Sequence, residues 1–389
     1  GGGPPPPPPP PSHPSHGGPT SPAELVEVKW LFSSINPADK NMLQGTYPTV
    51  HSHFPSIPGS EGVGIIPSTS PPDNNDNDND TPTFVFPVPS LLGLWTTSPV
   101  SYPPSLLLPL PPSVTHNTGP IFIPNLPQTL SQIAVNPSSA LRLLKDYLPV
   151  LSSPETSLVV QNLPGSGVGQ CVGQIARSKG VRCVVALARK GGRTEGEWEE
   201  YKMELVGRFG NTIVFDEASD PKDIADGILD TLRKSESGNG APLGRIPLGN
   251  ILGLNGVGGR SAQTLIKVLA LVATEAAQTP TATATATATA TTTATPPTTP
   301  TPPTTTTPTV VTYGGMSTRP LTIGTGQLIF TGVTLFGFWL PRWLEGNSTE
   351  KRLEMYEEVM DLVRGGELVL PEKQWFRLEE WEEAVGREG

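Results

Sequence analysis

The 389 residues include 47 Pro and 41 Gly, while hydrophobic residues make up 35% and charged residues 16%. The formal net charge of −10 argues against a nucleic-acid binder, which needs a basic surface to displace counterions. Two cysteines exclude a disulfide framework and a Cys-rich zinc site, and with no run near ~20 unbroken apolar residues no helix is expected to span a membrane.

Low-complexity segments account for the diluted composition. Residues 1–22 carry a run of eight prolines at 4–11, flanked by Gly, Ser and His. The tract reads as polyproline II or disorder; a Pro-rich ligand for a small recognition domain is the functional alternative. It lacks the amphipathic, Arg-rich character of a transit peptide. Residues 73–80 (DNNDNDND) lack the Gly and the closing Glu of an EF-hand loop, so a solvated loop is expected. Residues 279–309 contain only Thr, Ala and Pro. They offer no core-forming side chains against their ordering entropy, and read as a disordered surface insertion. Outside these tracts roughly 320 residues of ordinary composition remain, enough for about two domains.

The clearest local signal begins at Ser157. SLVVQN at 157–162 is a short β-branched apolar run, expected as a buried strand. LPGSGVGQ follows, with Gly165, Gly167 and Gly169 in a tight turn. Val168, Cys171, Val172, Ile175 and Ala176 then fall on one face of a helix that ends at Gly180. VRCVVALA at 181–188 is the next strand. Strand, glycine-rich turn, helix and strand open a doubly wound sheet, in which the glycines let a pyrophosphate approach the helix N-terminus.

About twenty residues after the turn, an NAD site would place an Asp or Glu on the ribose hydroxyls. This chain has Arg189, Lys190 and Arg193 there. A cation attracts a 2′-phosphate that a carboxylate would repel, so the residues favour NADPH over NADH; a merely solvated basic turn is the alternative. Further along, 211–215 and 250–255 read as strands and 261–272 as a helix. VVTYGGM at 310–316 reads as a strand ending in a glycine turn. Leu353, Tyr356, Met360 and Val363 mark a late amphipathic helix. Cys171 and Cys183 read as small core residues. His51 and His53 have no Cys in the same domain, so no metal is expected.

Several segments in order resemble one family: VKWLFSSINPADKNMLQGTYP (28–48), GSEGVG (59–64), FPVPSLLGLWTT (86–97), AVNPSSALRLLKDYL (134–148), VVQNLPGSGVGQ (159–170), LNGVGGRSA (254–262), VTYGGMS (311–317) and TLFGFWLPRW (334–343). The chain resembles the mitochondrial 2-enoyl thioester reductases of the zinc-free medium-chain dehydrogenase/reductase superfamily. The resemblance implies an α/β fold: a Rossmann doubly wound parallel sheet at 134–366, and a GroES-like β-rich catalytic domain at 23–133 with a return segment at 367–389. It implies a homodimer, and NADPH-dependent reduction of the C2–C3 double bond of enoyl thioesters, carried on acyl carrier protein or CoA, in mitochondrial (matrix) fatty acid synthesis.

The same resemblance assigns site residues. Tyr47 occupies the catalytic tyrosine position. A phenol can donate a hydrogen bond and then a proton, although by its residues alone it could be a turn tyrosine packed by its ring. Asn136 matches a cofactor contact, with a plain N-cap as the alternative. Gly165, Ser166, Gly167 and Val168 match the pyrophosphate turn. Arg189, Lys190 and Gly191 fall where the family grips the 2′-phosphate, commonly with Arg-Asp-Arg; only the first Arg is kept, and Arg193 is the substitute. Tyr313, Gly314, Gly315 and Met316 match the nicotinamide-side loop. Phe338, Trp339, Leu340 and Pro341 match a second cofactor-contacting stretch, where core or dimer-interface roles are equally open.

Three departures stand out. The Pro-rich tract takes the place of about two strands ahead of VKWLF. The acidic tract replaces a Gly-Asp turn, and the sequence ends before a closing strand. The GroES-like part is therefore expected to be incomplete, with exposed strand edges. Two other readings compete: a quinone reductase of the same superfamily, and a catalytically inactive nucleotide-binding protein.

Overall fold

The computed structural model describes residues 25–47, 55–67, 82–89, 91–117, 122–234, 248–278, 307–371 and 373–386. The Pro-rich tract at 1–22, the acidic tract at 73–80, His51, His53 and residues 279–306 of the Thr/Ala/Pro stretch lie outside them.

The first half forms an antiparallel sheet. Strand β1 (Val26–Ser33) is followed by helix α1 (Pro37–Leu43), then by β2 (Gly62–Ile66), β3 (Thr83–Pro87), β4 (Val100–Tyr102) and β5 (Leu107–Pro109). The spatial order is β4-β1-β2-β3-β5. Trp30 on β1 sits opposite Gly64 on β2. A Cβ at Gly64 would lie 2.6 Å from the Val28 side chain and 2.9 Å from the Trp30 ring, so glycine makes room for both. The Trp30 Nε1 donates to the Tyr102 hydroxyl at 3.1 Å.

Helices α2 (Pro112–Thr115), α3 (Leu126–Ile133) and α4 (Asn136–Asp146) lead into the second sheet. It alternates β6 (Ser157–Gln161), α5 (Gly167–Ser178), β7 (Cys183–Ala188), α6 (Glu195–Gly207), β8 (Ile213–Asp216), α7 (Pro221–Lys234), β9 (Asn250–Asn255), α8 (Gly259–Gln278), β10 (Thr309–Thr312), α9 (Thr325–Thr331) and β11 (Thr334–Gly337). Its order is β11-β10-β9-β6-β7-β8, and each pairing is parallel. This is the doubly wound order, with its reversal between β6 and β9. The elements expected from sequence recur here, with α8 extending the helix read at 261–272 in both directions.

Helices α10 (Leu340–Glu345), α11 (Thr349–Arg364) and α12 (Trp381–Gly386) close the chain. One core joins the two sheets: Val63, Phe86 and Leu108 pack in the same cluster as Leu143, Val159 and Val359. Phe86 meets Tyr356 of α11 edge-on at 4.9 Å between ring centroids, and Trp375 meets Phe32 at 5.3 Å. Residues after α11 thus return to the antiparallel sheet. Both cysteines are buried, and burial pushes each thiol up to about 12. Among the described residues no helix is long and apolar enough to cross a membrane.

Candidate active site

Three glycines shape the turn between β6 and α5. A Cβ at Gly169 would run into the Leu163 carbonyl, and one at Gly165 into the Tyr201 hydroxyl. At Gly167 it would come within 2.9 Å of the Asn136 Nδ2. Ser166 caps α5: its Oγ accepts from the Gly169 N–H at 3.1 Å and donates to the Leu163 carbonyl at 2.9 Å. The turn leaves backbone amides at the N-terminus of a twelve-residue helix, where the helix dipole favours an anion. Val168 is half-buried and packs on the core.

The reversal point is pinned by asparagines. Asn162, following β6, donates through Nδ2 to the Asn255 Oδ1 at 2.9 Å and to the Ser261 Oγ at 3.0 Å. Its Oδ1 accepts from the Gly256 N–H at 2.9 Å. The loop carrying Tyr313, Gly314, Gly315 and Met316 lies along this segment: the Tyr313 N–H donates to the Asn255 carbonyl at 3.0 Å, and the Met316 N–H to the Gly256 carbonyl at 3.2 Å. The Tyr313 hydroxyl is buried and faces the Ser166 side chain, and burial pushes it up to about 12. It abuts Gly256, where a Cβ would meet it at 2.8 Å. A buried hydroxyl beside Ser166 and a glycine-lined crevice suits a polar ligand.

Arg189 and Lys190 follow β7, with Gly191 at φ +57° supplying the turn. The Arg189 Nε pairs with the Glu217 Oε1 at 3.0 Å, and the Glu217 Oε2 accepts from the Ser261 Oγ at 2.6 Å. Lys190 pairs with Glu195. Arg193 lies over the Tyr201 ring, 4.5 Å from its centroid, and its Nη1 donates to the Arg189 carbonyl at 2.9 Å. The sequence placed the cations here without revealing the two carboxylates that hold them.

Tyr47 lies beyond the C-terminus of α1. Its hydroxyl accepts from the Trp339 Nε1 at 3.0 Å. Trp339 is one residue after Phe338, whose N–H donates to the Thr312 carbonyl at 2.9 Å. The phenol therefore sits at the C-terminal edge of the parallel sheet, where doubly wound folds bind ligands. Phe338 is half-buried against Tyr147. Leu340, the first residue of α10, turns its side chain into the core, leaving only its backbone for a ligand, and Pro341 follows in the first turn.

The N-terminal end of α1 reaches the glycine turn. The Asn136 Nδ2 donates to the Asn36 Oδ1 at 3.3 Å, and the Asn36 Nδ2 donates to the Glu61 Oε2. Beside this pair the Asp39 Oδ2 accepts from the Asn36 N–H at 2.8 Å, and its Oδ1 from the Ser60 Oγ at 2.7 Å. Burial pushes the Glu61 carboxyl up to about 8 and raises that of Asp39.

No family model matches the sequence. The chain is 30% identical over 376 residues to the mitochondrial enoyl-acyl-carrier-protein reductase of Xenopus tropicalis, covering 94% of this chain and 84% of that relative. The chain belongs to the mitochondrial enoyl-acyl-carrier-protein reductases. Solved structures share the reductase architecture. The Etr1p/NADP/crotonyl-CoA complex aligns with a TM-score of 0.64 at 21% identity, over 93% of this chain and 87% of that one. The mitochondrial 2-enoyl thioester reductase Etr1p/Etr2p heterodimer from Candida tropicalis gives 0.64 at 22%, over 94% and 88%. The fold is that of the medium-chain dehydrogenases/reductases, with a Rossmann sheet and a GroES-like antiparallel sheet.

Within this reductase, sequence reading did not assign Asn36, Asp39, Glu61, Tyr201 or Glu217. The first three lay inside motifs already singled out, NPAD and GSEGVG. Buried polar residues in a glycine-rich or proline-led motif were the available signal.

Proposed function

We propose that this protein reduces the C2–C3 double bond of trans-2-enoyl thioesters with NADPH, on acyl carrier protein or CoA, in fatty acid synthesis in the mitochondrial matrix. The observation that carries this reading is the placement of α1. Asn36 at one end meets Asn136 beside the glycine turn, and Tyr47 beyond the other end meets Trp339. The phenol is thereby set at the mouth of the nucleotide crevice.

The residues fit NADPH. Gly165 and Gly167 leave clearance for its pyrophosphate at the start of α5, beside Ser166 and with Asn136 alongside. Arg189, Lys190, Gly191 and Arg193 offer cations and a turn for its 2′-phosphate. Tyr313, Gly314, Gly315 and Met316 line the crevice toward Phe338 and Trp339. When bound, NADPH supplies the hydride for C3. Tyr47 gives its proton to C2, and the Trp339 N–H remains on the phenol oxygen as charge develops there. The catalytic lobe takes residues 23–133 and 367–389, and the nucleotide lobe 134–366.

The test is NADPH oxidation with a trans-2-enoyl-CoA, run beside a quinone acceptor, for the wild type and Tyr47→Phe. Enoyl-dependent turnover that Tyr47→Phe abolishes while NADPH still binds is expected. Turnover of quinones only would make the protein a quinone reductase; NADPH binding with no turnover would make it a binding protein.

A homodimer completes the reading. Strand β11 is an edge strand, exposed along its length, and preceded by Phe330 at 85% exposure and Ile329 at 66%. An unpaired apolar edge is a template for a second strand. Mass measurement in solution should give twice the monomer mass, and Phe330→Lys should return it toward the monomer.

A further inference from the structure

Glu61 takes no part in the chemistry above, yet it is 2% exposed and one of its oxygens, Oε1, has no hydrogen-bond partner among the described residues. A carboxyl so placed costs stability unless something else is gained. Its carboxyl accepts from Asn36, and Asn36 touches Asn136. The chain of contacts runs from the antiparallel sheet to the glycine turn.

The direction of each bond is fixed by chemistry. The Asn36 amide has a donor end and an acceptor end. Its donor end meets the Glu61 Oε2 and its acceptor end receives the Asn136 Nδ2. With Asn136 as it stands, Asn36 rotated by half a turn would set NH2 against NH2 at Asn136 and oxygen against the Glu61 Oε2. The acceptor at position 61 favours the observed orientation, and the Asp39 N–H, which the Asn36 side chain accepts at the start of α1, supports it. The Asn136 amide that results lies against Gly167, where even a Cβ has no room.

We propose that Glu61 is a positioning residue: by orienting the Asn36 amide it holds Asn136 against the pyrophosphate turn, so that the catalytic lobe sets the shape of the cofactor site in the other lobe. This inference rests on the NADPH reading above and deepens it. The groups facing Glu61 are Asp39 on α1, Lys373 in the returning segment and the Val135 backbone amide, with Tyr356 of α11 within its electrostatic reach. Lys373 opposes the burial of negative charge, and Asp39 adds to it.

The experiment is an NADPH titration followed by nicotinamide fluorescence, on variants first checked for fold by thermal melting. Glu61→Leu removes the acceptor and should raise the NADPH Kd about tenfold, the scale of one lost hydrogen bond. Glu61→Gln keeps an acceptor and should stay within about twofold of wild type. Asn136→Ala should weaken binding by a similar factor, and Glu61→Leu with Asn136→Ala should be no worse than either alone, because both break one chain of contacts. A purely structural Glu61 would be neither rescued by Gln nor non-additive with Asn136. Should Glu61→Leu fail to fold, Asn36→Leu breaks the next link and carries the same expectations. A folded Glu61→Leu or Asn36→Leu with wild-type Kd, or additive double-variant losses, overturns the proposal. Wild-type protein that binds no NADPH overturns the cofactor reading itself, and this inference with it.

Discussion

The Tyr47 hydroxyl accepts a 3.0 Å hydrogen bond from the Trp339 Nε1, joining residues 292 positions apart in the chain. The bond ties the segment after α1 to the segment after β11. It also leaves the phenol proton free to point elsewhere, because the oxygen is the acceptor in this contact.

Tyr47→Phe keeps the ring and removes the proton. Loss of a general acid typically costs about 10²–10⁴ in rate, so kcat with a trans-2-enoyl-CoA should fall by that factor. The NADPH Kd should not change. Parallel losses in kcat and NADPH binding would instead mean that Tyr47 shapes the pocket.

Trp339→Phe tests the bond from its other end. The indole N–H is the only group it removes besides ring area, and a hydrogen bond of this kind contributes about 1 kcal/mol. A kcat lower by about fivefold is expected, well short of the Tyr47→Phe loss. Steady-state kinetics of the two single variants and the double variant separate the effects. If Trp339→Phe still slows a chain already carrying Tyr47→Phe by the same factor, Trp339 does not act through the phenol.

The nucleotide half was legible from sequence because its signals are local. Short apolar runs mark β6, β7 and β9, and the helix face from Val168 to Ala176 marks α5. Helix α6 was not visible, since only Trp198 and Leu205 are buried along it and its surface is otherwise charged. The pairing of Tyr47 with Trp339 was likewise out of reach, because no periodicity connects positions so far apart. Arg189 and Lys190 were read as cations, but Glu217 lies 28 positions from Arg189, and only the adjacency of β7 and β8 brings them together. The GSEGVG motif was recognised as a whole, yet the burial of its carboxyl depends on α1 folding over it.

Glu217 competes with a 2′-phosphate for Arg189. The Arg189 side chain is 70% exposed and that of Glu217 13%, so the arginine end of the pair can leave while the carboxylate stays bonded to Ser261. Exposed pairs of this kind are weak, about 0–1 kcal/mol. Glu217→Gln should therefore tighten NADPH modestly, about two- to fivefold, and leave NADH unchanged. Arg189→Ala should narrow the preference for NADPH over NADH. Equal effects on both cofactors would remove Glu217 and Arg189 from the 2′-phosphate site.

Gly169 and Gly192 form a matched pair of glycines. A Cβ at Gly169 would collide with the Leu163 carbonyl, whereas one at Gly192 meets nothing within 4 Å. Backbone that must shift in a tight turn costs about 1–3 kcal/mol or more. Gly169→Ala should lower the melting temperature and weaken NADPH binding together, while Gly192→Ala should leave both unchanged. Calorimetry with and without NADPH reads the two effects.

Glu61 also makes stability depend on pH in a distinctive direction. Its carboxyl rises from an ordinary value of 4.5 to about 8 on folding, so the folded protein binds the proton more tightly than the unfolded chain. Stability is then fully present below about pH 4.5 and is lost as pH rises through about 8. Asp39 is raised by burial too and acts with the same sign, beginning at lower pH. The carboxylates that are held low, such as Glu195 and Glu350, act with the opposite sign and only in more acid solution. The cysteine thiols, at about 12, act in more alkaline solution. Between about pH 5 and 8 the melting temperature should fall steadily. Glu61→Gln carries no titrating proton and should flatten that slope, and adding Asp39→Asn should remove what remains. Melting curves across this window decide it: a slope unchanged in Glu61→Gln would mean that the carboxyl is already ionised in the folded protein, with Lys373 outweighing its burial.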